Sequence, residues 1–134
     1  MKVSSDKLQV NGDPAKAYRR ISNFSELGGM MPSQVQGWTA TEDTCSFNVG
    51  GMAQVSMKIA RKVEPSLVVI TSDEGTPFNF TLAVHLTPGE SGFTSQVEAE
   101  VGVNLVMGAM IKGQMQKFVD TMNQQIKAFT ESQG

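Results

Sequence analysis

Residues 104–129 read NLVMGAMIKGQMQKFVDTMNQQIKAF, and this stretch decides the fold that the sequence predicts. Its apolar residues recur at steps of three and four, which places them on one stripe of a long helix. The residues of this stripe are Met107, Ile111, Met115, Phe118, Met122, Ile126 and Phe129. Lys112, Asp120 and Asn123 lie off the stripe. We therefore expect a surface helix that presses one face against a large apolar partner.

The partner is predicted by residues 34–103, where apolar and polar residues alternate as they do in strands. The cleanest alternation runs from Phe78 to Leu86, between turn sequences at 73–77 and 88–92. Other strands are predicted over 35–41, 44–49, 53–59, 67–72 and 93–103. Short turns separate these strands, so neighbours should pair antiparallel and present one apolar face, which the long helix can cover.

The first thirty residues predict a weak strand over 2–10 and two short helices. Asp13 can cap the first helix and Pro14 suits its first position. Phe24 and Leu27 belong to the second helix, which Gly28 and Gly29 are expected to end. The whole pattern is α+β, with about seven antiparallel strands, and we expect a single domain over residues 1–134.

Composition excludes several classes of function. The 134 residues carry a net charge of −2 with lysine and arginine scattered, so no basic stripe indicates a nucleic acid or an anionic membrane surface as a partner. No apolar run approaches the ~20 residues of a membrane span, and the N-terminus lacks a signal-peptide pattern. We expect a cytoplasmic protein without stable membrane insertion, as a monomer or homodimer.

Four short passages carry a resemblance to a known superfamily. They are Asp13-Pro14, the Met31–Val35 passage with Trp38, Cys45-Ser46-Phe47 with Gly51-Met52-Ala53, and Pro77–Thr81. Together with the order of elements, they resemble the START-like superfamily, also called Bet v 1-like or SRPBCC. The resemblance implies a helix-grip fold, in which a curved sheet wraps around the C-terminal helix. It also implies a cavity between helix and sheet, used across the superfamily for lipids, sterols, polyketides and plant hormones.

Methionines point to such a cavity, because flexible thioethers line adaptable apolar surfaces. The alternative, that they fill an irregular core, remains open at this point. The candidate ligand-binding residues are Phe24, Met31, Trp38, Phe47, Met57, Phe78, Phe80, Val97, Val101, Met107, Met110, Ile111 and Met115. Arginine at position 57 or 107 is expected to block ligand uptake and leave the protein folded.

The residues do not predict a catalytic centre, a metal site or a cofactor. His85 alternates with the apolar residues of its strand and should face solvent, and Cys45 has the parity of a buried residue. Arg61 has inward parity, so it either points one charge into the cavity mouth or reaches solvent. We expect a protein that binds a small hydrophobic or amphipathic ligand, lipid-like or polyketide-like, rather than an enzyme.

Two alternatives belong to other classes. Some START-like proteins are cyclases or hydratases, and such an enzyme could use Arg61 or Ser95 to support a reaction on an apolar substrate. One branch of the superfamily activates the Hsp90 chaperone, and a protein-interaction module of that kind would have a filled core.

Overall fold

The computed structural model describes residues 1–31, 35–49, 53–74, 76 and 78–133. The first elements are strands β1 (Lys2–Ser4) and β2 (Leu8–Val10) and helices α1 (Pro14–Ile21) and α2 (Phe24–Leu27). The strands that follow are β3 (Val35–Ala40), β4 (Thr44–Val49), β5 (Ala53–Val63), β6 (Leu67–Ser72), β7 (Asn79–Gly89) and β8 (Gly92–Gly102). The last element is helix α3 (Leu105–Gln133).

The strands form one antiparallel sheet in the order β1-β8-β7-β6-β5-β4-β3, and β2 pairs with β8 beside β1. The strand predicted over 2–10 is thus two short strands. Between them, Ser5 bonds Val97 twice, because its backbone N–H donates to the carbonyl and its Oγ accepts from the amide, both at 2.9 Å. The eight strands and the terminal helix confirm the predicted α+β helix-grip fold.

The core lies between the inner face of the sheet and α3. The alternation predicted for β7 is confirmed, since Phe80, Leu82, Val84 and Leu86 are all buried. Along α3 the predicted stripe is buried at Met122 and Ile126, where the helix packs against β8, β1 and β2. Within the described residues, no helix has the length and apolarity to cross a bilayer.

The start of α1 is as predicted. Asp13 Oδ1 accepts a hydrogen bond from the Ala15 backbone N–H at 2.9 Å, and Pro14 is the first helical residue. Helix α2 ends at Leu27 with Gly28 as its C-cap residue, as predicted, and a 3-10 turn over Gly28–Met30 follows it directly. Gly28 keeps right-handed helical backbone there, with φ −52° and ψ −33°.

A tightly packed tryptophan explains why position 28 is glycine. Trp38 stacks on Phe47 with ring centroids 5.3 Å apart and meets Phe24 edge-on at 6.2 Å. Its indole Nε1–H donates to the Phe24 carbonyl at 3.0 Å. A Cβ at Gly28 would lie 2.6 Å from Trp38 Cδ1, whereas one at Gly29 would meet nothing within 4 Å.

Gly28→Ala should therefore lower the free energy of unfolding by about 1–3 kcal/mol, the usual cost of overpacking against a fixed side chain. Urea denaturation would measure this loss. Gly29→Ala is the matched control, and we expect it to leave stability within about 0.5 kcal/mol of the parent. Equal effects of the two substitutions would contradict the packing argument.

Two β-bulges change which way side chains point. On β5, Ile59 pairs with Ile70 but Arg61 pairs with Val69, so one extra residue lies between them. The shift moves Arg61 to the outer face, where it is exposed, and the solvent-reaching interpretation of this residue is confirmed. On β3 a similar shift falls between Gln36 and Thr39, where Gly37 has a left-handed φ of +67°.

Candidate functional site

Helix α3 is attached to the N-terminal strands along only part of its length. Gln116 Nε2 donates to the Ser4 carbonyl at 2.8 Å, and Asn123 Nδ2 donates to the Asp6 carbonyl at 2.8 Å. Further along, Lys127 Nζ donates to the Gln9 carbonyl. Among the described residues, Gln116 is the first on α3 to make such a bond. The first three turns of the helix are therefore held by packing and by their own cap.

A buried polar pair fixes α3 on the sheet. Asn123 is 1% exposed, although the sequence placed it off the apolar stripe, and its Oδ1 accepts from Ser95 Oγ at 2.5 Å. Asn123 Nδ2 also donates to the Ser95 carbonyl at 3.0 Å. The helical period of the apolar residues did not predict that Asn123 is buried. Ser95 could have indicated it, because this polar residue has the inward parity of Phe93 and Val97 and therefore needs a polar partner in the core.

A cleft of about 480 Å³ opens to solvent where the first turn of α3 meets the start of β7 and the end of β8. Its lining residues are Thr76, Phe78, Asn79, Gly102, Val103, Asn104 and Met107. None of these described lining residues is ionisable. An uncharged, partly apolar cleft of this size favours a small neutral molecule or the apolar part of an amphipathic one.

Two of the three polar side chains that line the cleft form hydrogen bonds within the protein, and the third is exposed. Asn104 Oδ1 accepts from the Met107 backbone N–H at 2.8 Å and so caps α3. Thr76 Oγ1 donates to the Ser56 carbonyl and accepts from the Ser56 N–H, both at 3.0 Å, which joins the turn after β6 to β5. Asn79 is exposed at the edge, where its amide can contact a polar group of a ligand.

The structure brings two of the thirteen predicted binding residues, Phe78 and Met107, together in the cleft. Phe78 also contacts Phe80, with ring centroids 6.0 Å apart, which links the cleft to the core beneath it. The buried members are Phe24, Phe47, Met57, Phe80, Val97 and Val101. The half-buried members are Met31, Trp38, Phe78, Ile111 and Met115. Met110 is 72% exposed on the solvent side of α3. That residues outside the cleft bind a ligand stays a prediction.

The single histidine lies on the outer face of the sheet, as its alternation predicted. His85 Nε2 is 2.8 Å from Glu98 Oε1, and Lys2 and Ser4 contact the other oxygen of the same carboxylate. Partial burial would raise the pKa of Glu98, but these neighbours outweigh it and hold the pKa below its ordinary value. These side chains form a polar cluster on the outer face of the sheet, opposite the core.

Cys45 is buried on the inner face of β4, as its parity predicted. Burial raises the pKa of its thiol to about 12, although a backbone hydrogen bond at Met57 acts in the opposite direction. The thiol is therefore neutral at physiological pH and packs as a small apolar side chain.

The eight-stranded sheet closed over by a C-terminal helix matches solved structures along the whole chain. A START superfamily protein from Mycobacterium smegmatis superposes with a TM-score of 0.73 at 14% identity, over 99% of each chain. The protein has the START-like, helix-grip fold. No protein-family model and no curated protein matches the sequence.

The START-like fold is shared with two proteins named for biosynthesis. The di-domain ARO/CYC StfQ from the steffimycin biosynthetic pathway superposes with a TM-score of 0.78 at 14% identity, over 98% of this chain and 51% of the StfQ chain. Norcoclaurine synthase from Thalictrum flavum gives a TM-score of 0.75 at 13% identity, over 96% of this chain and 85% of the enzyme. At these identities the similarity is one of fold.

Proposed function

We propose that this protein binds a small hydrophobic or amphipathic molecule in the cleft beside the first turn of α3. The observation that carries the proposal is the lining of the cleft, where Phe78, Val103 and Met107 supply apolar surface and no described lining residue is charged. The amides of Asn79 and Asn104 lie at the edge and suit a polar head group. Apolar walls with a few polar groups are typical of small-molecule sites.

The structural neighbours support a small-molecule role, since StfQ and norcoclaurine synthase bear the names of biosynthetic proteins. Binding is favoured over catalysis because the two polar residues considered for an enzyme lie elsewhere. Arg61 is exposed on the outer face, and the hydroxyl of Ser95 is buried in its bond to Asn123.

Met107→Arg is the substitution that tests the site. Met107 is 46% exposed, so an arginine at this position can reach solvent and the fold should persist. An apolar ligand in the cleft would have to displace water from the guanidinium group, and this desolvation weakens binding. We expect affinity for the neutral fluorescent probe N-phenyl-1-naphthylamine to fall about tenfold or more. Fluorescence titration of the purified protein measures the affinity.

Val106→Arg is the matched control, because Val106 is the adjacent residue, is exposed and does not line the cleft. It should bind the probe as the parent does. Unchanged affinity in Met107→Arg, or a parent protein that binds no probe, would contradict the proposal. Position 57 cannot serve in this test, because Met57 is 1% exposed and an arginine there would bury a charge in the core. The expectation that the variant with arginine at position 57 stays folded is therefore withdrawn.

A further inference from the structure

The first two turns of α3 carry only apolar residues and glycine, and most of these residues are exposed, although Gly108 is buried and faces Val103 and Met1. Leu105 is 94% exposed, Val106 73% and Met110 72%, and Met107 completes the group. In the part of the chain that the structure describes, Val63 is the other large apolar residue in the exposed class. A helix segment that is apolar all round is normally buried against protein or lipid. We call residues 105–110 the α3 tip.

The charged residues of α3 that lie nearest the α3 tip are positive. Between Val101 and Val119 the only charged residues are Lys112 and Lys117, and both are exposed. Val106, Met110 and Lys117 follow at steps of four and seven, so they lie along one side of the helix. A surface with exposed apolar side chains and flanking lysines is typical of helices that lie in the interface of an anionic bilayer.

Acidic residues at the same end of the sheet weaken the electrostatic attraction between the α3 tip and an anionic bilayer. Glu100 on β8 is exposed, and Lys2, its register partner on β1, pairs instead with Glu98. Asp73 and Glu74 follow the end of β6. We therefore expect the apolar side chains to supply most of the affinity for a bilayer and the lysines to supply a smaller, salt-sensitive part.

A second copy of the chain fits the α3 tip less well than a lipid surface. Four side chains on two helical turns offer a few hundred Å² of surface, whereas a stable protein interface buries roughly 800 Å² on each partner. A bilayer needs no complementary shape and accepts a small apolar group of this size. We propose that the α3 tip docks on the surface of bilayers that contain anionic lipids.

Docking would place the cleft at the bilayer surface, because Met107 belongs to both the α3 tip and the cleft. An apolar molecule could then move between the bilayer and the cleft without crossing water. This consequence for cargo rests on the proposed function. The docking itself does not.

Co-sedimentation with lipid vesicles tests the docking. The probes are vesicles of phosphatidylcholine alone and vesicles in which about a third of the lipid is phosphatidylglycerol. We expect the protein to partition to the anionic vesicles, and L105S/V106S to lower that partition about tenfold or more. Both positions are exposed and serine is tolerated in a first helical turn, so this variant should stay folded. K112Q/K117Q should lower partition to anionic vesicles only, by a smaller factor that added salt abolishes.

Val63→Ser is the matched control. It removes an exposed apolar residue at the last position of β5, outside the α3 tip, and should leave partition to the vesicles unchanged. Three results would overturn the inference. They are a parent protein that binds neither kind of vesicle, a variant L105S/V106S that partitions as the parent does, and a parent dimer that this variant dissociates in analytical ultracentrifugation.

The N-phenyl-1-naphthylamine titration without vesicles separates this inference from the proposed function. Leu105 and Val106 do not line the cleft, so L105S/V106S should keep the affinity of the parent for the probe. Vesicle binding without probe binding would uphold docking and refute the cleft as a ligand site. Probe binding without vesicle binding would uphold the ligand site and refute docking.

Discussion

Gly92→Ala should remove a large part of the stability of the protein, lowering the free energy of unfolding by about 3 kcal/mol or more. Gly92 has a φ of +114°, a backbone region that residues with a Cβ rarely adopt. A Cβ at this position would also overlap the Val10 carbonyl oxygen, because β2 pairs with the start of β8 there. The nearest atoms are all backbone atoms of Val10 and Asn11, so no flexible side chain can give way. Urea denaturation followed by circular dichroism measures the loss.

Gly89 provides the control for Gly92, since the two glycines face each other across the turn between β7 and β8. A Cβ at Gly89 would come no closer than 4.0 Å to the Gly92 carbonyl oxygen. Gly89→Ala should therefore change stability by about 0.5 kcal/mol or less. A Gly92→Ala protein as stable as Gly89→Ala would refute the close approach of β2.

Asn123→Ala should lower the free energy of unfolding by about 2–4 kcal/mol. The substitution removes the acceptor of the Ser95 hydroxyl and the donor to the carbonyls of Ser95 and Asp6, and the site around Ser95 is fully buried. Buried polar groups that lose their partners account for most of the expected cost, and the empty space left by the amide adds to it. Chemical denaturation again provides the measurement.

The adjacent Gln124→Ala is a suitable comparison, because it removes an amide from an exposed position of the same helix and should be nearly neutral. Ser95→Ala should cost less in the Asn123→Ala background than in the parent, since the bond it removes is already broken. Additive effects of the two substitutions would show that Ser95 and Asn123 do not stabilise the protein as a pair.

The spacing of hydrophobic residues predicted the architecture, because the helix and the strands must each bury one apolar face. The stripe of α3 and the alternation of β7 required a helix on one face of an antiparallel sheet, and Asp13-Pro14 marked the first helix through local capping chemistry. The bounds of β4 and β6 match the prediction. These features depend on neighbours close in sequence, which a sequence displays directly.

The details of the site depend on contacts between distant residues, and the sequence does not display those. Arg61 changed face because one extra residue entered β5, and no composition signal marks that bulge. Asn123 is buried because Ser95 lies opposite it in space. Met110 is exposed because nothing described covers the solvent side of α3 there, which depends on where the sheet ends. The spacing of apolar residues in the sequence shows which face of a helix or strand is apolar. It does not show which of those apolar side chains are covered by another element.

The bulge at Gly37 has a consequence for the behaviour of the protein in a crowded solution. Strand β3 is the last in its sheet, and no strand of the described residues pairs with its outer edge, which could therefore pair with a strand of another molecule. Its ladder to β4 is broken between Gln36 and Thr39, and the left-handed glycine bends the strand within that gap. An incoming strand would therefore find no long, flat template, and the bulge protects the protein against edge-to-edge aggregation.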